Sequence, residues 1–515
     1  MIKRDGALPS LWQQTVEPLE VTNTALAAKY DVIIVGGGIT GISLAHRLQN
    51  AGLQCLVLEA HNCCFGTTGG TTAHLNTLLD TPYSTIIKNF GEEPAKLVAK
   101  GVKEAIHNIE RNIEQYQIEC GFERTAAYLF AENDDQQKEL QEIVEACEKV
   151  SVPVHYTGTI PVNIPFTKAI EIPAQAKFSP VKYVYELAKN YMDAGGHIVE
   201  QTVVVNHNHR TDEVTGEEII EVQTEDDYTY VTNTLVYATH IPPGVNVLHL
   251  RCAPYRSYAM AVKLPLDNYP AELCYDMYDP YRYYRTQVIE GEPYFIVGGE
   301  DHKTGHEDNT EACFNRLLAN VRKYFNVESI THKWSSQYYE PADGLPYIGE
   351  LPGARPNVYV ATGYGGNGMV YSQVATILLS DLILTGASTY KELFDPNRIK
   401  PIAGFTNLIK ENADVVKNLV SGLVARSHLE SLSELAHGEG KVVVFEKHKI
   451  ALYKDPEGSL HVLNPTCTHL KCSVAWNAAE LSWDCPCHGA RYSIDGEMLN
   501  GPANMDLKKI DLQEE

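Results

Sequence analysis

With 515 residues, 44% of them hydrophobic, the chain is long enough for about three domains with cores of their own. Its 42 Lys plus Arg against 66 Asp plus Glu leave a formal net charge of −24, which repels phosphate backbones and argues against nucleic acid as a partner. No run reaches the ~18 uninterrupted apolar residues of a membrane span, and the opening MIKRDGALPSLWQQ lacks both the apolar core of a secretory signal and a twin-arginine pair. No transmembrane segment and a cytoplasmic location are therefore expected.

Residues 30 to 35, YDVIIV, read as a buried parallel strand rich in β-branched residues. GGGITG follows directly, with Gly36, Gly38 and Gly41 in G-x-G-x-x-G spacing, and ISLAHRLQNAG then repeats apolar residues at helical spacing. A second strand, QCLVLE, ends at Glu59, the distance at which an acid reaches both hydroxyls of a ribose. Glycines without Cβ let backbone N–H groups touch a pyrophosphate, and the helix N-terminus adds partial positive charge. The unit predicts a dinucleotide site contacted by Gly36, Gly38, Ile39, Thr40, Gly41, Glu59 and Ala60.

FAD and NAD share this fingerprint. A second strand-to-helix turn, NVYVATG followed by GYGGNGM and an apolar helical run, aims another helix N-terminus at something electron-rich, such as a reduced flavin. On DVIIVGGGITG, the GTTGGTTA loop (66 to 73), TLVYATH (234 to 240), and the paired DGLPYIG and GYGGNGM, residues 28 to about 390 resemble the D-amino acid oxidase and glycine oxidase superfamily of FAD-dependent oxidoreductases. The resemblance implies an α/β FAD-binding Rossmann-like domain with an antiparallel-sheet substrate domain. It also implies FAD contacts at Thr67, Thr68, Thr72, Val204, Gly366, Asn367, Gly368 and Met369. Sarcosine-oxidase-like members carry arginines near the end of the threonine-rich loop. Here Ala73, His74 and Asn76 stand there, so sarcosine chemistry does not transfer.

The FAD-binding domain is expected from 28–90, 175–252 and 331–390, and the substrate domain from 91–174 and 253–330. The latter is tyrosine-heavy, in YRSYAMAVKL and MYDPYRYYRTQ, within a chain of 30 Tyr and 12 Phe. Family members hold a substrate carboxylate with a tyrosine and an arginine from this sheet. Tyr283 and Arg285, two apart on one strand face, match that role, and Tyr364 lies in the flavin-facing turn.

Residues 391–428 read as a helical linker, and 429–515 as short strands and turns. Eight of the twelve cysteines are scattered through the first 313 residues, and the other four crowd into CTHLKCSVAWNAAELSWDCPCHGARY (467 to 492). A closed Cys₂His₂ zinc site is one reading. However, each loop offers one cysteine and one histidine, Cys467-x-His469 and Cys485-x-x-His488, which is the ligand pattern of a Rieske 2Fe–2S centre.

From 430 to 505 the chain resembles the all-β Rieske domain fused to some bacterial members of the same FAD superfamily. The likeness extends to WNAAELSWDCPCHG and GPA. It implies a disulfide between Cys472 and Cys487, and a hydrogen bond from Tyr492 to Cys467 or Cys485. Ala490 replaces the serine of high-potential members, which makes cluster reduction less favourable.

Flavin takes two electrons at once and a Rieske cluster one, so their fusion implies a converter. The expectation is a dehydrogenase that oxidises a C–N bond of a small amine or amino or imino acid and passes electrons through the cluster to an external protein or quinone acceptor. Two other readings stay open: an NAD(P)H-driven reductase, for which no second nucleotide fingerprint is visible, and a redox-sensing carrier without turnover. Homo-oligomer formation is compatible with all three.

Overall fold

A computed structural model describes residues 4–398 and 434–510, apart from Thr24, Val214, Asp279 and Lys447. Tyr30–Val35 and Cys55–Leu58 are buried apolar strands that pair in parallel, and the helix Ile39–Asn50 crosses between them. Thr229–Tyr237 and Val358–Thr362 extend this sheet in parallel on one side and His197–Val199 on the other, while antiparallel Tyr347–Glu350 closes an edge. Register sets the carboxyl ends at Val35, Leu58 and Tyr237 side by side, the edge at which open α/β sheets bind ligands.

The helix Gly368–Thr385 follows the second glycine turn and packs on Ile39–Asn50 and Glu92–Tyr116. It is long and apolar enough to cross a membrane, and 72% of it is buried inside this fold, which accounts for its apolar surface as core. Its apolarity thus refines the expectation drawn from uninterrupted runs.

The second sheet runs Ser329–Pro341, Cys252–Lys263, Glu292–Lys303, Arg282–Ile289, Leu273–Asp276, Glu123–Ala131, Lys168–Lys177, His74–Leu75. Neighbours are antiparallel except Leu273–Asp276 beside Glu123–Ala131. Ser329–Pro341 pairs along its length with Cys252–Lys263, so the boundary expected at 331 falls inside a strand of this sheet. His74–Leu75 joins the sheet directly after the threonine-rich loop, holding that loop between the two sheets.

The C-terminal region is all β, with Gly440–Phe445, His448–Lys454 and Leu460–Leu463 in one sheet and Ala475–Asn477, Ser482–Asp484, Arg491–Tyr492 and Met498–Asn500 in another. The expected linker begins with the short helix Lys391–Phe394, and its part from 399 on lies outside the described residues.

The segment before the first strand is built into the core. Leu11 and Trp12 are fully buried; Trp12 Nε1 donates to the Thr71 carbonyl at 2.6 Å and Ser10 Oγ to the Gly69 carbonyl at 2.6 Å, fixing the threonine-rich loop from behind.

Candidate functional site: a dinucleotide cavity joined to a cysteine and histidine centre

A cavity of ≈ 310 Å³ opens at the carboxyl edge of the Rossmann sheet. Gly36, Gly38, Ile39 and Thr40 line it at the first turn; Glu59, Ala60 and Val204 lie at one end, and Thr67, Thr68 and Thr72 along the wall. Gly36 has φ +112°, and a Cβ there would sit 2.5 Å from the Ala238 carbonyl oxygen. Thr68 Oγ1 accepts from Ile39 N at 3.0 Å, tying the wall to the helix N-terminus. Gly41 does not line the cavity. Its missing Cβ would lie 1.9 Å from the Gly36 carbonyl oxygen, so this glycine serves close helix-to-strand contact.

Glu59 accepts from the Gly37 and His61 amides at 2.6 and 2.9 Å; burial nonetheless raises its carboxyl above the usual range. Opposite, Gly366, Asn367, Gly368 and Met369 present the N-terminus of Gly368–Thr385 to the same space. Two helix N-termini and a glycine-bared backbone converge on one cavity, a donor set that fits the pyrophosphate and the electron-rich ring of FAD.

The far end of the cavity is lined by Tyr275, Tyr281, Tyr283 and Tyr338, and Tyr364 lines it beside the first turn. Tyr283 Oη lies 2.9 Å from Ser257 Oγ, and Tyr364 Oη 3.3 Å from Thr40 Oγ1. Arg285 departs from the expected role. Although it shares a strand face with Tyr283, its side chain is fully buried behind the cavity wall and donates to the Thr72 and Ala73 carbonyls at 2.9 and 2.6 Å. A further bond goes to Gln287, and the guanidinium lies 5.4 Å from the Trp12 ring. Burial lowers its pKa to about 9. Arg285 holds the threonine-rich loop and does not line the cavity, so it does not reach a substrate carboxylate there.

In the C-terminal region, Cys467, Cys485 and His488 are buried, and the rings of His469 and His488 stand 5.0 Å apart. All four ring nitrogens are buried and none meets a partner at close hydrogen-bond geometry; coordination to iron through one nitrogen of each ring relieves two of them, and His469 has the Gly244 backbone within reach for its second. Burial lowers His488 to about 3, keeping it neutral as a ligand must be. Hydrogen bonding from Cys485 brings Cys467 down to about 7, and Tyr492 Oη lies 3.3 Å from Cys467 Sγ. Cys472 and Cys487 form a disulfide. The sulfurs of Cys472, Cys485 and Cys487 lie close together, but the disulfide leaves only Cys485 among them as a thiolate donor. Two thiols and two imidazoles fit a 2Fe–2S cluster.

The two centres share a wall. Met498, Leu499, Asn500, Gly501, Ala503 and Asn504 of the C-terminal region line the dinucleotide cavity. Tyr339 Oη donates to the His488 carbonyl at 3.1 Å and Gln337 Nε2 to the Gly489 carbonyl at 2.9 Å, while Thr67 Oγ1 donates to the Gln337 carbonyl at 2.9 Å. The strand that lines the cavity therefore also carries the cluster loop. His240, also on the cavity wall, packs its ring 4.7 Å from that of Tyr339. His249 packs its ring 4.7 Å from that of His469.

Sequence reasoning missed the wall from Met498 to Asn504, the bridging Gln337 and Tyr339, and two cavity acids, Asp80 and Asp301. GPA (501 to 503) is legible only as part of the Rieske likeness and the others belong to no local motif; tertiary pairing alone brings them to the cavity.

These features define a flavin-dependent oxidoreductase whose dinucleotide cavity is walled in part by an iron–sulfur domain. The chain belongs to the DAO family of FAD dependent oxidoreductases, which matches residues 31–382, and a Rieske [2Fe-2S] domain matches residues 427–511. It is 32% identical over 484 residues, 94% of this chain and 93% of the relative, to YhfW of Bacillus subtilis, described as a Rieske 2Fe-2S iron-sulfur protein. It is also 23% identical to the gamma-glutamylputrescine oxidoreductase of Escherichia coli, covering 72% of this chain and 87% of the relative. Glycine oxidase from Geobacillus kaustophilus shares the fold, with a TM-score of 0.60 at 18% identity over 72% of this chain and 100% of that one.

Proposed function

We propose that this protein is a dehydrogenase of small amines or amino or imino acids, whose electrons leave one at a time through the Rieske centre to an external protein or quinone acceptor. Bound FAD supplies a two-electron hydride acceptor, and the bound 2Fe–2S cluster a one-electron exit. The substrate gives up a hydride from carbon and a proton from nitrogen, and the two electrons depart in single steps.

The chain's residues do the rest. The tyrosines at the far end of the cavity orient the substrate, and the threonine-rich loop, held by Trp12 and Arg285, keeps the wall in place. The observation that carries the reading is the shared wall: Met498 to Asn504 close the dinucleotide cavity, and Gln337 and Tyr339 bond to the cluster loop. A separate wire of this kind is redundant in an oxidase, which hands its electrons to oxygen. The relative named gamma-glutamylputrescine oxidoreductase adds support for an amino compound as substrate. Eight buried free thiols outside the Rieske domain support the proposed cytoplasmic setting.

Anaerobic mixing of the holoenzyme with a panel of amines and amino acids is the test. At least one is expected to bleach the flavin absorbance within seconds. Bleaching by NADH alone, with every amine inert, would overturn the reading.

A further inference from the structure

The far end of the cavity is anionic. Among the described residues no Lys or Arg lines the cavity, and the one arginine expected there, Arg285, is turned away and bonded to carbonyls. Two carboxylates, Asp80 and Asp301, line it instead, apart from Glu59 at the nucleotide end. Asp301 Oδ2 accepts from Tyr338 Oη at 3.0 Å, and the Ser257 and Tyr281 hydroxyls also approach this carboxylate, whose Oδ1 is buried; the groups that hold it are all neutral hydroxyls. A buried carboxylate held by hydroxyls with no cation beside it is costly unless a cation from outside the chain balances it.

Asp80 lines the same cavity. Its amide donates to Asn367 Oδ1 at 2.8 Å, and Asn367 Nδ2 donates to Asp80 Oδ1 at 3.2 Å, which places it beside the turn GYGGNGM. Asp301 lies within the field of Asp80, and Tyr281, Tyr283 and Tyr338 lie within the fields of both. The remaining basic group at this end, His74, is held neutral by burial and by Arg285 and Lys177 behind it. Burial raises both aspartates to about 6, so both are mostly ionised at neutral pH.

A substrate carboxylate entering this space would meet two negative charges and no cation. An ammonium would meet two carboxylates and the faces of tyrosine rings, which attract cations. We infer that the substrate is an alkylamine bearing a second ammonium in place of a carboxylate, a small diamine, with one ammonium paired to Asp301 in the tyrosine-lined end of the cavity. The inference rests on the amine-oxidising reading and narrows it from amines and amino acids to cationic amines. It also accounts for the retraction of Arg285, since a guanidinium in the cavity would repel such a substrate.

The test is an anaerobic titration of the holoenzyme with 1,4-diaminobutane and with 4-aminobutanoate, a chain of similar length in which a carboxylate replaces one ammonium. Perturbation of the flavin spectrum reports binding, and bleaching reports oxidation. The diamine is expected to bind at least tenfold more tightly, and Asp301→Asn, checked for unchanged flavin content, to erase most of that preference. Asp80→Asn provides a second variant should the first fail to fold.

Equal or tighter binding of 4-aminobutanoate or glycine would overturn the inference, as would diamine affinity indifferent to both substitutions. If the diamine binds preferentially without bleaching the flavin, the cationic site stands and the oxidation reading falls. If amino acids bind more tightly and bleach the flavin, the oxidation reading stands and the cationic site falls.

Discussion

Replacing Arg491 with Met is expected to lower folding stability by about 3–5 kcal/mol, among the largest effects of any single substitution in this chain. Arg491 is fully buried between the Rieske domain and the rest of the chain. Its Nη1 lies 3.0 Å from Asp5 Oδ2 and its Nε 3.1 Å from Asp484 Oδ1. Around it, Arg4 pairs with Glu480 at 3.0 Å and Arg256 with Asp484 at 3.6 Å, so three guanidinium groups balance three carboxylates. Removing one cation leaves an uncompensated negative charge where water does not reach.

The pH dependence follows from the same groups. Burial alone raises the carboxyls of Asp5 and Asp484. Arg491 and Arg256, with Arg4 as well at Asp5, outweigh it and hold both below the usual range. Carboxyls depressed in the folded state contribute stability above their unfolded pKa of about 3.9, and that stability is lost as pH falls through the folded value. Without Arg491 burial dominates, and the sign reverses for these two groups. The deficit is then greatest at neutral pH and shrinks towards pH 4. Thermal melts of the two proteins at pH 7.5 and 4.5 check this, and a variant melting like the wild type at pH 7.5 would contradict it. Adding Asp5→Asn, which restores two guanidinium groups against two carboxylates, is expected to recover part of the loss.

The second large effect is complete loss of one cofactor with retention of the other. Cys485→Ser is expected to abolish the Rieske EPR signal and bound iron while the purified protein keeps its flavin, because the ligand thiolate goes and the dinucleotide cavity is lined by other residues. Cys472→Ser is the informative partner. Its sulfur lies within 4.8 Å of that of Cys485, yet it belongs to the disulfide, so iron is expected to remain. Iron analysis and EPR of the two proteins separate this ligand set from a zinc site built on Cys472, Cys485 and Cys487. Zinc in place of iron, or equal iron loss in both, would contradict the assignment of Cys467, His469, Cys485 and His488.

What the sequence disclosed was local. YDVIIVGGGITG and CPCHG each carry their chemistry within a dozen residues, because a glycine turn or a ligand loop is defined by neighbours along the chain. Alternation along a strand likewise placed Tyr283 and Arg285 on one face. Depth is not written in that alternation: one side chain lines the cavity, while the other is consumed beneath it by the Thr72 and Ala73 carbonyls. Asp80 and Asp301 are single acids far apart in sequence, and only the second sheet and the turn at Asn367 set them facing one space. Arg4 and Asp5 lie in an N-terminal stretch with no periodicity, and their partners are more than 475 residues away at Glu480 and Arg491.

The same long-range contacts give the chain its functional organisation. Gly489, at φ +78°, has no room for a Cβ, which would lie 2.7 Å from Pro254 Cβ and 2.9 Å from Gln337 Nε2. The cluster loop therefore presses directly on strands that line the flavin cavity, and this contact links the two centres within a single chain. The decisive measurement is rapid-freeze EPR after anaerobic mixing of the holoenzyme with the amine that bleaches its flavin fastest. The reduced Rieske signal is expected to grow in step with the bleaching and to be independent of protein concentration, as transfer within one chain requires. Flavin that bleaches while the cluster stays oxidised for minutes would contradict the proposed relay.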